Sequence, residues 1–476
     1  MRESRRHFLK TCSLLSVAGA ASPFAINLAA IGAASAQTPP PGYRAIVCLF
    51  FYGGNDHTNT FIPYDQASHD QYIAARGSVA SGSIGIERNT LTAAGTFTGP
   101  VASQGGRDFA FHPALTAFKT HWDAGRLAVV ANVGPLLRPT TRAQYQARSV
   151  PLPPKLFSHN DQQSVWQAYQ PIGEGAKVGW GGKIGDLLMG QNTNPLFTCI
   201  SAGGNAVFVA GETALRYQVG SGGPASISSI SGTIYGSTGT AASTAYRSLI
   251  AGTSPNLFEN ELGVVTDRSI DANVLLGTAL QSVPAASLAP AIPANNNLAS
   301  QLAIVARIIA ARGGIGATRQ VFLVSIGGFD NHDVLLTQHN QQLVQVNNAV
   351  AAFYSWLEQF GVQNDVTLFT ASDFGRTLTS NGDGSDHGWG SHQFVLGGAV
   401  QGKNAIGGGV YGTFPPTTFF ASGNPVDIGQ GNLLPTTAVD QYAGTLARWM
   451  GVSPGNMSLV LPNSGFFSPT DLPFLL

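Results

Sequence analysis

Four short runs of this chain are apolar at nearly every position: residues 45–52 (AIVCLFFY), 127–133 (LAVVANV), 321–326 (VFLVSI) and 366–371 (VTLFTA). A half-exposed strand alternates apolar and polar residues. Continuous apolar runs of this length suit strands buried on both faces, the pattern of a parallel sheet covered by helices. Helical spacing appears between the runs. Leu302, Val305, Ile308 and Ile309 precede the third, and Val346, Val350, Phe353, Leu357 and Phe360 lie between the third and the fourth. Helix followed by strand, repeated, predicts an α/β fold with a mostly parallel sheet sandwiched by helices and right-handed crossovers.

The rest of the composition narrows the function. Charged residues are only 11% of the chain, against about 25% in an ordinary soluble domain. That scarcity excludes a basic-patch nucleic-acid binder, a charge-rich disordered chain and a coiled coil. Between Tyr217 and Tyr246 there is no charged residue, and Gly, Ser, Thr and Ala dominate. The stretch from about 200 to 298 therefore reads as a Gly/Ser/Thr-rich insertion or cap, with the Pro-rich 284–293 as the way back into the core.

Residues 1–36 read as a targeting segment rather than as fold. Arg5-Arg6 within residues 4–10 resembles the twin-arginine export motif, an uncharged stretch follows, and Ala34-Ser35-Ala36 marks a small-residue cleavage site. The competing reading is a membrane anchor, since the uncharged run is long enough to span a bilayer. Export with cleavage predicts a periplasmic or secreted protein, residues 37–476, with no stable membrane span. Cleavage removes four cations and one acid, leaving 21 basic and 24 acidic residues, a net of −3. Cys12 leaves too, and Cys48 sits inside an apolar run, so Cys48 and Cys199 are expected as two buried thiols.

Three of the strand candidates end in turns that carry an acid: Gly53-Gly54-Asn55-Asp56, Gly327-Gly328-Phe329-Asp330-Asn331-His332 and Ser372-Asp373-Phe374-Gly375-Arg376. Ligands of open parallel sheets bind beyond the carboxyl ends of the strands. Asp56, Asp330 and Asp373 are thus expected to converge at one edge, where three carboxylates repel one another unless a cation neutralises them. His332, His387 and His392 add imidazole, and a carboxylate–imidazole set suits Zn²⁺, Mn²⁺, Fe or Mg²⁺. Each acid taken alone also reads as a helix cap or turn former.

These motifs carry a resemblance. GGNDHTNT (53–60), FHPAL (111–115), SHNDQQSVW (158–166), GWGGKIGDLL (179–188), SIGGFDNH (325–332), SDFGRT (372–377), NGDGSDHGWG (381–390) and VLGGAVQG (395–402) resemble those of a large, mostly uncharacterised group of twin-arginine-exported bacterial proteins. That group is a domain-of-unknown-function family with an alkaline-phosphatase/sulfatase-like core. The resemblance implies one or two divalent ions (Zn, Mn, Mg or Ca) held by Asp56, Asp330, His332, Asp373, His387 and His392. Phe374 stands where a ligand His is usual, which leaves one metal site incomplete or filled from elsewhere. It also implies a nucleophile at a helix N-terminus, matched by Ser158 with Thr140 and Thr141 as runners-up, and an anion clamp, matched by Arg376. A plain helix cap is the competing reading of Ser158, and a salt bridge that of Arg376. The implied activity is hydrolysis of a phosphate or sulfate ester, small or polymeric. The alternative is a non-catalytic periplasmic binding or envelope-assembly protein with a degenerate metal site.

Overall fold

A computed structural model describes residues 40–77, 82–168, 175–225, 227, 230, 240–405, 407–416 and 424–475. The proposed signal segment, Cys12 and much of the uncharged stretch between Tyr217 and Tyr246 lie outside the described residues.

The main sheet has nine strands. In chain order they are β1 (Arg44–Phe51), β2 (Leu127–Gly134), β3 (Cys199–Ser201), β4 (Arg216–Gln218), β5 (Arg319–Ile326), β6 (Val366–Ser372), β7 (Ser391–Leu396), β8 (Val410–Tyr411) and β9 (Thr437–Ala438). They lie in the order β8-β2-β7-β6-β1-β5-β3-β4, with β9 also paired to β2. All four apolar runs are strands of this sheet. β1 is central and parallel to both neighbours, with Cys48 opposite Leu323 of β5 and Phe369 of β6. β7 alone runs the other way, between β6 and β2.

Because side chains alternate across a strand, β1 feeds two cores. Ala45, Val47, Leu49 and Phe51 face one, and Ile46, Cys48 and Phe50 the other. Helices cover both faces. The first core is closed by α2 (Thr116–Asp123), α7 (Asn297–Ala310) and α8 (Leu335–Gln359). The second is closed by α3 (His159–Ala168), α4 (Trp180–Leu188) and α9 (Val439–Met450). The two periodic stretches seen in the sequence fall in α7 and α8, where Ile304, Ile308, Phe353 and Leu357 are buried. Truncating one such side chain, as in Phe353→Ala, removes about 3–5 kcal/mol of packing. α1 (Gln66–Arg76) sits on a small two-stranded sheet formed by residues 61–63 and 109–111. Cys48 and Cys199 are both free and buried.

The stretch from about 200 to 298 starts within this sheet, since β4 lengthens it beyond β3. It then forms α5 (Thr240–Ile250) and α6 (Leu257–Gln281) before α7. Residues 284–293 run back along α8, where the Trp356 indole N–H donates to the Pro290 carbonyl. Among the described residues no helix is long and apolar enough to cross a membrane.

Candidate metal centre

The turns after β1, β5 and β6 are sewn together at the carboxyl edge of the sheet. Gly53 makes this possible. Its φ is +111°, and a Cβ there would lie 2.5 Å from the Asp330 backbone nitrogen, so only glycine fits. The Gly53 N–H donates to Asp373 Oδ2 at 3.1 Å, and the Phe329 N–H donates to the Tyr52 carbonyl at 3.2 Å. The β1 turn thereby ties the loop carrying Asp330 to the one carrying Asp373.

Three imidazoles converge on Asp330. His159, the first residue of α3, places Nε2 3.3 Å from Asp330 Oδ2. His332 and His387 place theirs 2.9 and 3.1 Å from Asp330 Oδ1. The ligand atoms of His159, Asp330 and His387 all lie within 4.8 Å of one another, and the Nε2 atoms of His332 and His387 are 3.0 Å apart. Each ring is oriented by its other nitrogen. His159 Nδ1 meets Asp373 Oδ2 at 2.7 Å, His387 Nδ1 meets the Phe157 carbonyl at 2.7 Å, and His332 Nδ1 meets Asp386 Oδ1 at 3.2 Å. A proton on Nδ1 would meet these acceptors, and in that tautomer each neutral ring turns an Nε2 lone pair toward Asp330. In that tautomer the three Nε2 atoms and the carboxylate make a donor set of the kind that could hold a cation.

The surroundings shift these groups in different directions. The hydrogen bond to Asp373 raises the His159 pKa against the opposing effect of burial. Burial lowers that of His387, partly offset by the Phe157 carbonyl. For Asp330 burial pulls upward, but the hydrogen bond and charge of Arg376 prevail and hold the carboxyl below its ordinary range. Phe374 forms an apolar wall, with its ring 4.8 Å from that of His159 and 4.7 Å from that of His387. Phe157, whose carbonyl orients His387, has φ +76°. A bulky residue in that region carries about 1–3 kcal/mol of strain and persists only where its surroundings enforce it.

Of the residues expected from the sequence, Asp330, His332 and His387 are brought together. Asp373 is adjacent but is not one of the residues whose ligand atoms cluster. Its buried Oδ2 accepts from His159, Gln163 and Gly53, so it orients a ligand candidate instead of being one. Two expected ligands do not reach the cluster. The buried Asp56 pairs with Arg76 at the end of α1. His392 shares the inward face of β7 with Phe394, two positions on. There its Nδ1 accepts from the Asn132 N–H at 3.0 Å and its ring packs on His57 and Phe414.

Side chains supply cations to the acids that were expected to need one. Two are neutralised by arginine, Asp56 by Arg76 and Asp330 by Arg376, and Asp373 faces His159. Arg376 is not a free anion clamp. It is fully buried, with Nη1 2.6 Å from Asp330 Oδ1 and Nη2 on the Ser385 carbonyl. The Ser158 hydroxyl donates to Asp161 Oδ2 at 2.7 Å, and its carbonyl accepts the Gln162 N–H. The hydroxyl is thus engaged by a side chain of the first helical turn, without the backbone N–H donor that a helix cap would supply. The residue that sequence reasoning missed as a ligand is His159. Its signal was available, since SHNDQQSVW places it directly after Ser158, at the start of a helix.

A family model described as a protein of unknown function (DUF1501) matches residues 271–456. That span contains Asp330, His332, Asp373, Arg376 and His387 but not His159. No curated protein matches the chain. Among solved structures, the C-terminal periplasmic domain of EcEptC from Escherichia coli is similar at 11% identity and a TM-score of 0.32, over 90% of this chain and 88% of that one.

Proposed function

We propose that this protein is an exported, metal-dependent hydrolase of phosphate or sulfate esters, working in the periplasm or outside the cell. The observation that carries the reading is the convergence of three Nδ1-anchored imidazoles on the Asp330 carboxylate. Three nitrogens and an oxygen suit Zn²⁺ or Mn²⁺ better than Mg²⁺ or Ca²⁺, which prefer all-oxygen shells. His159, His332, His387 and Asp330 would hold one ion. With Asp56 committed to Arg76, a second ion has no comparable donor set among the described residues. The ion would supply Lewis-acid polarisation of the ester and a water of lowered pKa. The chain's own contributions are orientation and shielding. Asp373 fixes the His159 ring, Arg376 holds Asp330 in place, and Phe374 keeps water from one side. The ester class rests on the resemblance of the motifs to proteins with an alkaline-phosphatase/sulfatase-like core.

The engaged Ser158 and Arg376 side chains favour a second reading, a non-catalytic exported protein that binds metal or assembles in the envelope. One experiment separates them. Protein purified after native export is analysed for metal, then assayed on aryl phosphate, phosphodiester and aryl sulfate with Zn²⁺, Mn²⁺, Mg²⁺ and Ca²⁺. About one ion per chain and turnover abolished by EDTA and by His159→Ala are expected. Stoichiometric metal without turnover supports the second reading, and absence of metal from both protein and titrations refutes the first.

A further inference from the structure

A second cleft lies at the outer edge of the sheet, between β4 and α6. It measures about 590 Å³ and is lined by Lys177, Arg216 and Arg268 together with Tyr217, Gln218 and Ser269, and among the described residues by no Asp or Glu. In a chain with so little charge, three cations gathered without an acid are a concentrated feature. Of the acids nearby, three are engaged, and Glu212 is exposed beside Gly211. Asp267 and Asp271, flanking Arg268 on α6, both pair with Arg247. Asp186, behind Gly211, accepts from the backbone N–H groups of Glu212, Thr213 and Ala214.

The basic cleft opens into an apolar one. A cavity of about 320 Å³ shares Ala225, Val265 and Ser269 with it and is otherwise walled mainly by Ile227, Ile230, Ile270 and Val274. The Asn273 side chain donates to the Ala225 carbonyl and so holds this wall onto α6. A socket for negative charge thus adjoins a socket for hydrocarbon, each at the size of a small-molecule site.

We propose that this double cleft binds one molecule of an anionic lipid, its phosphate-type head on Lys177, Arg216 and Arg268 and its alkyl chain along Val265, Ile270 and Val274. Charge complementarity selects the head, since guanidinium groups pair well with phosphate oxygens. The adjoining apolar wall selects an amphiphile over a free anion. β4 has only three residues, too short an edge for an added peptide strand to gain much from backbone hydrogen bonds. The inference does not depend on the histidine cluster.

The test is calorimetric titration of the mature chain with dodecylphosphonate below its micellar concentration, a probe whose C–P bond resists ester hydrolysis. Binding at one per chain is expected. It should weaken by about tenfold or more in Arg216→Gln/Arg268→Gln and in Val265→Asn, and be unchanged in His159→Ala. These three replaced side chains are exposed, so the variants should melt with the parent. Inorganic phosphate and dodecyl maltoside should each bind at least about tenfold more weakly than the probe. The proposal is overturned by no binding, by equal binding of phosphate alone, of dodecyl maltoside or of hexaglutamate, by unchanged affinity in the cleft variants, or by loss of binding in His159→Ala.

Discussion

Asp373→Asn is the most informative single change at the cluster. The native carboxylate is fully buried, and its Oδ2 accepts three hydrogen bonds, from His159 Nδ1 at 2.7 Å, Gln163 Nε2 at 2.9 Å and the Gly53 N–H at 3.1 Å. With the Asn oxygen in the Oδ2 position all three donors keep an acceptor, so the turn and α3 should stay in place. What is lost is charge. The His159 bond falls from a charge-assisted one, worth about 1.5–3 kcal/mol, to a neutral one of about 1 kcal/mol. Loss of a carboxylate partner behind a metal-bound imidazole weakens metal affinity by about 10–100-fold, equivalent to about 1.4–2.7 kcal/mol. The assay is competition for Zn²⁺ against a chromogenic chelator, with a thermal melt of the metal-free protein as the check on folding. A variant that folds and binds Zn²⁺ as tightly as the parent would refute the claim that Asp373 acts by orienting His159. Unchanged affinity in His159→Ala as well would remove the metal centre altogether.

Asp56→Asn should behave in the opposite way. It breaks a buried ion pair, costing about 3–5 kcal/mol in denaturant unfolding, yet leaves Zn²⁺ affinity within about twofold; a large loss of affinity at retained stability would return Asp56 to the ligand set. Ser158→Ala should cost about 0.5–1.5 kcal/mol of stability as a lost hydrogen bond to Asp161 and spare any ester turnover; abolished turnover in a folded variant would reinstate Ser158 as nucleophile. Acid should destabilise the fold through histidines held neutral by burial, with pKa values lowered to about 4 for His57 and about 3 for His112 and His339. Below pH ~6.5 the unfolded chain takes up these protons and the folded chain does not, so stability falls with falling pH by up to about 1.4 kcal/mol per unit for each. Metal-free protein should melt well below its neutral-pH temperature at pH ~5, and a flat profile between those conditions would contradict the buried neutral state.

The sheet was legible because its strands leave a one-dimensional mark. Residues 45–52 are apolar at odd and even positions alike, which only a strand facing two cores requires, and β1 indeed supplies Val47 to one core and Cys48 to the other. Strand-end acids were legible for the same reason, since a parallel sheet delivers successive carboxyl ends to one edge. The partner of each acid was not. Asp56, Asp330 and Asp373 look alike as post-strand residues, but Arg76 arrives at Asp56 from α1, Arg376 reaches Asp330 across the β6 turn, and His159 meets Asp373 from α3.

His392 marks the same boundary within one strand. Its closeness to His387 in sequence suggested a shared site, but the period-two geometry of β7 turns it inward with Phe394. The chain's linear pattern determined the layered α/β architecture, the two buried thiols and the edge at which polar chemistry gathers, because burial on both faces and strand direction are written residue by residue. Only the tertiary structure decided that His159 joins the cluster, that Asp373 orients it, and that arginines pair with two of the acids. Those outcomes depend on which side chains meet across distant loops, and hydrogen-bond partners act through a few ångströms of space whatever their separation along the chain.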